Sequence, residues 1–304
     1  AEGGAGMLLT GNVQIDRRYM ERPGNVAIDG PQSNEAIAAL RDYAKAGTAN
    51  GAHLWMQISH AGRQTPALVN KEPVGPSDKA LDMPGAQFGK PRAMTGAEIE
   101  DVIRRFAFAA SVARDTGFTG VQIHGAHGYL ISSFLSPDVN TRTDEWGGSF
   151  DNRTRLIRRV AAAVRAAIPE GMPLIVRLSA TDWIDGAWDL AQSVSLAGLL
   201  RDEGVDLIDV TTGGAARADI PVGPDYQVPF AAEIRRGAGI PTAAVGLITE
   251  PQQAQEILDE SLSDAVLIGR AALLDAAWPL RAAHELGLSR EEIPYPGSYA
   301  RANF

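Results

Sequence analysis

The chain has 304 residues, 45% of them hydrophobic, which is enough to bury the core of one large α/β domain. Its 37 acidic against 28 basic residues leave a formal net charge of -9 without a long basic run, which argues against a nucleic-acid surface. Cysteine is absent, so disulfides, thiolate nucleophiles and iron–sulfur clusters are excluded; no apolar stretch reaches the ~18 residues of a membrane span, and a cytoplasmic location is the default expectation.

Short apolar runs alternate with amphipathic stretches along the whole chain, the pattern of repeated strand–helix units around a parallel sheet. The first strand is expected over Gly6 to Val13, followed by a loop and a helix from Ser33 to about Ala46. The second runs from His53 to Ile58 and leads into a long insertion, Ser59 to Ala93, too rich in Pro and Gly for a simple turn. Thr95-Gly96-Ala97-Glu98 has capping-box spacing and opens a helix to about Thr116. Gly120 to His124 is the third strand; a polar loop and a helix over Asn152 to Ile168 follow. Leu174 to Ser179, Leu207 to Thr211, Thr242 to Val245 and Ala265 to Ile268 complete seven strands, with a further helix over Leu190 to Glu203. No Gly-x-Gly-x-x-Gly follows the first strand, so a (β/α)₈ TIM barrel suits the succession better than a doubly wound sheet. The count is one short of eight. Ala1 to Gly6 runs into a strand without an initiator Met, so the expectation is a single, amino-terminally truncated domain over 1–304 whose first strand is missing. The insertion is expected to cap the barrel mouth.

The chemistry gathers just past the third strand, where Val121-Gln122-Ile123 stops at the turn His124-Gly125-Ala126-His127-Gly128-Tyr129. Barrel sites lie at the carboxyl ends of strands. His124 and His127 suit a metal site only with a third ligand, and His53, His60 and His284 offer no recognisable ligand spacing. A plain structural turn is the bland reading; the sharper one is a pair of N–H donors for a substrate oxygen. Val245-Gly246 and Ile268-Gly269-Arg270 end the last two strands, where barrels often hold a phosphate. Arg177 lies inside the apolar strand Leu174 to Ser179 and calls for an anion, a polar heterocycle or an internal salt bridge. Gln57 occupies a comparable place in the second strand.

Phe134-Leu135-Ser136-Pro137, Asn140 to Ser149 and Asn152-Arg153 resemble the signature of the Old Yellow Enzyme family of FMN-dependent ene reductases. Gly6 to Gly11, Gln57 to Arg63, the His124 to Tyr129 turn, Val245-Gly246 and Gly269-Arg270 recur in that family's order, so the resemblance spans essentially the whole chain. It implies FMN as cofactor, NADH or NADPH as reductant, and an α,β-unsaturated carbonyl or nitro compound as small-molecule substrate. Gln57 would bond the flavin pyrimidine edge, Arg177 would face N1 and O2, Gly246, Gly269 and Arg270 would hold the phosphate, and Asn12 backbone would lie near the ring. His124 and His127 would bind the substrate's oxygen and Tyr129 would donate the proton, whereas the Asn140 to Arg153 stretch would brace the loop. Zero Cys disfavours the relatives that append an iron–sulfur cluster. Pro296 to Arg301 resembles the tail of a subgroup whose terminal Arg enters a neighbouring subunit's site, which would make a homo-oligomer. The competing expectations are a non-catalytic barrel fragment without stable flavin and a metal-dependent barrel hydrolase.

Overall fold

The computed structural model describes residues 1, 3–293 and 295, so the tail resemblance at Pro296 to Arg301 lies outside the described residues. In chain order the elements are β1 (Met7–Leu9), β2 (Val13–Gln14), α1 (Asn34–Gly47), β3 (His53–Ser59), β4 (Val74–Gly75), β5 (Arg92–Ala93) and α2 (Gly96–Thr116). There follow β6 (Gly120–Gly125), α3 (Leu130–Leu135), α4 (Phe150–Ala167), β7 (Leu174–Ser179), α5 (Leu190–Asp202) and β8 (Leu207–Thr211). The last elements are α6 (Val228–Ala238), β9 (Thr242–Ala244), α7 (Pro251–Asp259), β10 (Ala265–Val266), α8 (Arg270–Leu274) and α9 (Trp278–Glu285).

The main sheet is parallel throughout and runs in chain order, β1-β3-β6-β7-β8-β9-β10, with β2 also on β3 and helices between successive strands. This is a TIM-barrel-like α/β fold. Among the described residues β10 and β1 are its two edges. One strand departs from expectation. The run Gly6 to Val13 is interrupted: Leu9 lies opposite Trp55 and Val13 opposite Ile58, so four residues on one side span three on the other. The bulge frees Thr10, whose hydroxyl accepts the Gln57 N–H at 3.0 Å. The last strand is also shorter than Ala265 to Ile268.

Registered partners in a parallel sheet share a face, and residues two apart on a strand return to it. Ile58, Ile123, Val176 and Ile208 form one registered row. All four are fully buried beneath helices such as α2 and α4, which contribute Phe106, Ala109, Ile157 and Val160 to the same core. The other face carries the polar residues: Gln57 opposite Gln122, then His124, Arg177 and Asp209 in one row, then Ser179 opposite Thr211. Alternation along four strands therefore sends the greasy residues outward to the helices and stacks the chemistry inward.

Helix ends follow their local codes. Thr95 and Glu98 make the expected reciprocal capping box at α2, and Ser149 caps α4 by accepting from the Asn152 N–H. The short α6, with Pro in its first turn, escaped the periodicity because a Gly- and Pro-bearing loop leads into it.

Candidate active site

His124, next to last in β6, is buried, and its Nδ1 accepts the Ala126 N–H at 3.3 Å, which leaves its proton on Nε2. The chain then turns through His127, held at φ 59 by three contacts. Its N–H donates to the Ser179 hydroxyl at 2.9 Å, its carbonyl accepts from Gln64 at 2.7 Å, and its Nε2 meets the Thr211 hydroxyl at 3.0 Å. Gly128 has φ 73 and lies so close to the loop after β8 that an added Cβ would sit 2.1 Å from the Gly214 carbonyl oxygen. That loop and the imidazole turn are locked together.

Tyr129 follows, and the three rings form one cluster: His124 lies 5.2 Å from His127 and 4.9 Å from Tyr129, both edge to face. Burial depresses both imidazoles, with the Arg177 charge adding to it: His124 falls well below its ordinary range and His127 to about 3. Each ring is therefore neutral at pH 7 and keeps a single N–H. Burial, with the nearby Glu21 charge, pushes the Tyr129 phenol up to about 12, so it holds its proton throughout the physiological range. The Asn12 amide lies by that phenol and donates to Glu21; the Asn12 carbonyl accepts from Asn25 at 3.4 Å. Asn12 thus reaches the cluster through its side chain.

A second group lies along the same face. Arg177, Gly246, Gly269 and Arg270 line one cavity of about 240 Å³ together with Tyr226 and Gln227. Gly246 has no room for a side chain, because a Cβ would meet Gln227 Nε2 at 2.5 Å. Arg177 has the internal partner that strand placement left open: its Nε lies 3.4 Å from Asp209 Oδ2, without a hydrogen bond. Gln57 is joined to the same carboxylate through Gln122.

Four residues with no role assigned from the sequence belong here: Gln122, Asp209, Thr211 and Gln227. Asp209 carried the same signal as Arg177, a charge inside an apolar strand. Gln227 had none; it arrives from the turn before α6, donates to the Val245 carbonyl at 3.0 Å and accepts from Thr212, while the Thr211 hydroxyl lies between its Oε1, at 3.1 Å, and His127 Nε2. The remaining sequence candidates lie elsewhere: His53 is exposed at the start of β3, and His60 is buried with its ring stacked 5.1 Å from Tyr19. Among the described residues no group of three His, Asp or Glu is placed to hold a metal. The Asn140 to Arg153 stretch satisfies itself and its backbone: Asn140 donates to the Phe134 and Trp146 carbonyls, Arg142 pairs with Asp144, and Arg153 donates to Leu135 and Gly148.

Fold and site together define a parallel α/β enzyme scaffold with neutral hydrogen-bond donors beside a cation-lined cavity at the strand ends. Known proteins carry this further. The family model described as NADH:flavin oxidoreductase / NADH oxidase matches residues 1–289. An NADPH dehydrogenase of Listeria innocua is 40% identical over 304 residues, covering 99% of this chain and 86% of that relative. One from Bacillus pumilus is 40% identical over 302 residues, with the same two coverages. Among solved structures, morphinone reductase superposes with a TM-score of 0.78 at 25% identity, over 95% of this chain and 79% of that one. A 2-naphthoyl-CoA reductase complex gives 0.86 at 26% identity, over 93% of this chain but only 45% of that longer one. The chain belongs to the NADH:flavin oxidoreductase / NADH oxidase family, the Old Yellow Enzyme family, whose members work with FMN and NADH or NADPH. Among the described residues no helix is long and apolar enough to cross a membrane.

Proposed function

We propose that this protein is an ene reductase, a single FMN-binding barrel domain that reduces the C=C bond of an α,β-unsaturated carbonyl or nitro compound. The observation that carries the reading is the neutral cluster His124, His127 and Tyr129, set on the same sheet face as Gln57 and Arg177. The residues fit FMN. Arg177 Nε is a buried donor without a hydrogen bond, Arg270 has no carboxylate partner among the described residues, and both open on the 240 Å³ cavity with Gly246 and Gly269. Gln57 and Arg177 would hold the ring edge, and Gly246, Gly269 and Arg270 the phosphate. The barrel is closed, on this reading, by one more parallel strand between the edges β10 and β1, and the insertion after β3 covers the mouth.

FMN held there would supply, once reduced by NADH or NADPH, a hydride for the substrate's β-carbon. His124 donates from Nε2 to the activating oxygen. His127 completes the pair with its one N–H on Nδ1, its Nε2 accepting from the Thr211 hydroxyl, so charge building on that oxygen meets donors already in place. Tyr129, kept protonated by burial, delivers a proton to the α-carbon.

Stopped-flow measurement of each half-reaction in Tyr129→Phe tests the assignment. Flavin reduction by NADPH should stay near its original rate, whereas enone reduction should fall by about 10²–10⁴-fold, the usual worth of a positioned general acid. Nitroalkenes should lose least, since their nitronate product can leave before it is protonated. Equal losses in both phases would reduce Tyr129 to a packing role.

A further inference from the structure

The polar face holds a chain of four side chains of which the proposed reaction uses only the two ends. Gln57 donates its Nε2 to the oxygen of Gln122, Gln122 donates its own Nε2 to Asp209 Oδ2 at 2.8 Å, and Arg177 Nε lies 3.4 Å from that same oxygen. Gln122 and Asp209 are fully buried and Gln57 is 6% exposed. Burial raises the Asp209 carboxyl, and Arg177 with Gln122 works against that rise.

Amides can face either way round; an oxygen set against a guanidinium cannot. A guanidinium offers only donors, so Asp209 Oδ2, set against it, is an acceptor, and Gln122 must turn its NH₂ toward it. That orientation leaves the Gln122 oxygen facing Gln57, which must spend its own NH₂ there. Reversing Gln57 would press two buried oxygens together, at the cost of an unsatisfied polar pair. What remains is Gln57 Oε1, to which nothing among the described residues donates. A flavin pyrimidine edge presents one N–H, at N3, between two carbonyls, and only an acceptor matches it.

We propose that Asp209 is a positioning residue which, through Gln122, makes Gln57 present an acceptor to the flavin N3–H, and which offsets part of the Arg177 charge beside the ring. The proposal rests on the reading that Gln57 and Arg177 hold FMN. Two variants separate its parts. Asp209→Asn keeps shape and removes charge, so Arg177 should favour the reduced cofactor by about tenfold over the oxidised one, a midpoint potential raised by ~30 mV for a two-electron couple. Gln122→Met leaves Asp209 and Arg177 together but cuts the relay, so the ¹⁵N resonance of N3 in labelled FMN should move while the potential changes little.

A purely structural Asp209 would lower the melting temperature and move neither signal. An unchanged potential in Asp209→Asn, or an unchanged N3 resonance in Gln122→Met, overturns the proposal. Gln57→Leu and Arg177→Met serve as controls on the seat itself. If both leave FMN affinity and potential untouched, the flavin reading fails first; if they change them while the Asp209 and Gln122 variants do not, only the relay fails.

Discussion

Single residues decide what the site can donate. His124 and His127 are kept neutral by burial, and on the proposed reading their two N–H groups meet one substrate oxygen, where such donors are worth most as charge develops. Losing one such donor costs about 3 kcal/mol, so His124→Ala should slow the enone half-reaction by roughly two orders of magnitude; a phenolate anion, which offers the same pair of donors an oxygen, should bind over the flavin with a long-wavelength charge-transfer band, and His124→Ala should weaken that complex. Normal enone rates in both His124→Ala and His127→Ala would remove the substrate oxygen from these rings. Burial has a second consequence, at His60, whose value falls from the ordinary 6.5 to about 4. The unfolded chain then binds a proton that the folded chain refuses. Stability from this group is complete above about pH 6.5, drains as the pH falls, and is gone below 4. One such proton is worth about 1.4 kcal/mol per pH unit. Urea midpoints of His60→Gln should therefore lose that much slope between pH 6 and 4 relative to the parent; an identical slope would show that His60 titrates normally.

Elements bring those residues to one place by alternation and by close backbone approach. The turn after β6 and the loop after β8 touch at Gly128 and Gly214, both at positive φ, with no space for a Cβ on either. Gly128→Ala meets the Gly214 backbone, which cannot give way as the neighbouring Gln64 amide can, so it should cost about 3 kcal/mol or more and displace His127 and Tyr129 together. Thermal melting and phenolate titration read the two effects; a stable variant with an intact complex would show that the loops do not lock. Remote from the site, Thr95→Ala removes one half of the α2 capping box and should cost about 1 kcal/mol in urea unfolding without touching either half-reaction.

At the scale of the whole molecule the sheet's inner face is a polar column within a hydrophobic shell. A ligand that fills it binds the folded chain alone. FMN at a hundredfold excess over its dissociation constant should stabilise the protein by about 2.7 kcal/mol, seen as a higher melting temperature, and Arg177→Met should remove most of that gain. A melting curve indifferent to FMN would set this chain apart from its family in cofactor binding.

Much of this was written in the linear chain. Periodicity and length located the seven strand positions in the sheet and the long helices, since runs such as Leu174 to Ser179 or Gly120 to His124 are β-branched and too short for a helix. The contiguous turn His124 to Tyr129 carried its own chemistry because its three rings are neighbours in sequence. Register was not legible. Whether Asp209 stands beside Arg177, and Gln122 between it and Gln57, depends on which residues of four separate strands lie opposite one another. No local pattern encodes that pairing: each strand reports its two faces, but only the assembled sheet determines which faces meet. The same holds for Gln227, delivered from an irregular loop, and for the bulge at Thr10, where one extra residue between β1 and β2 is visible only against β3. Local propensity thus determined most of the elements and the His–Tyr cluster, while pairing at long range decided what stands beside Arg177 and Asp209.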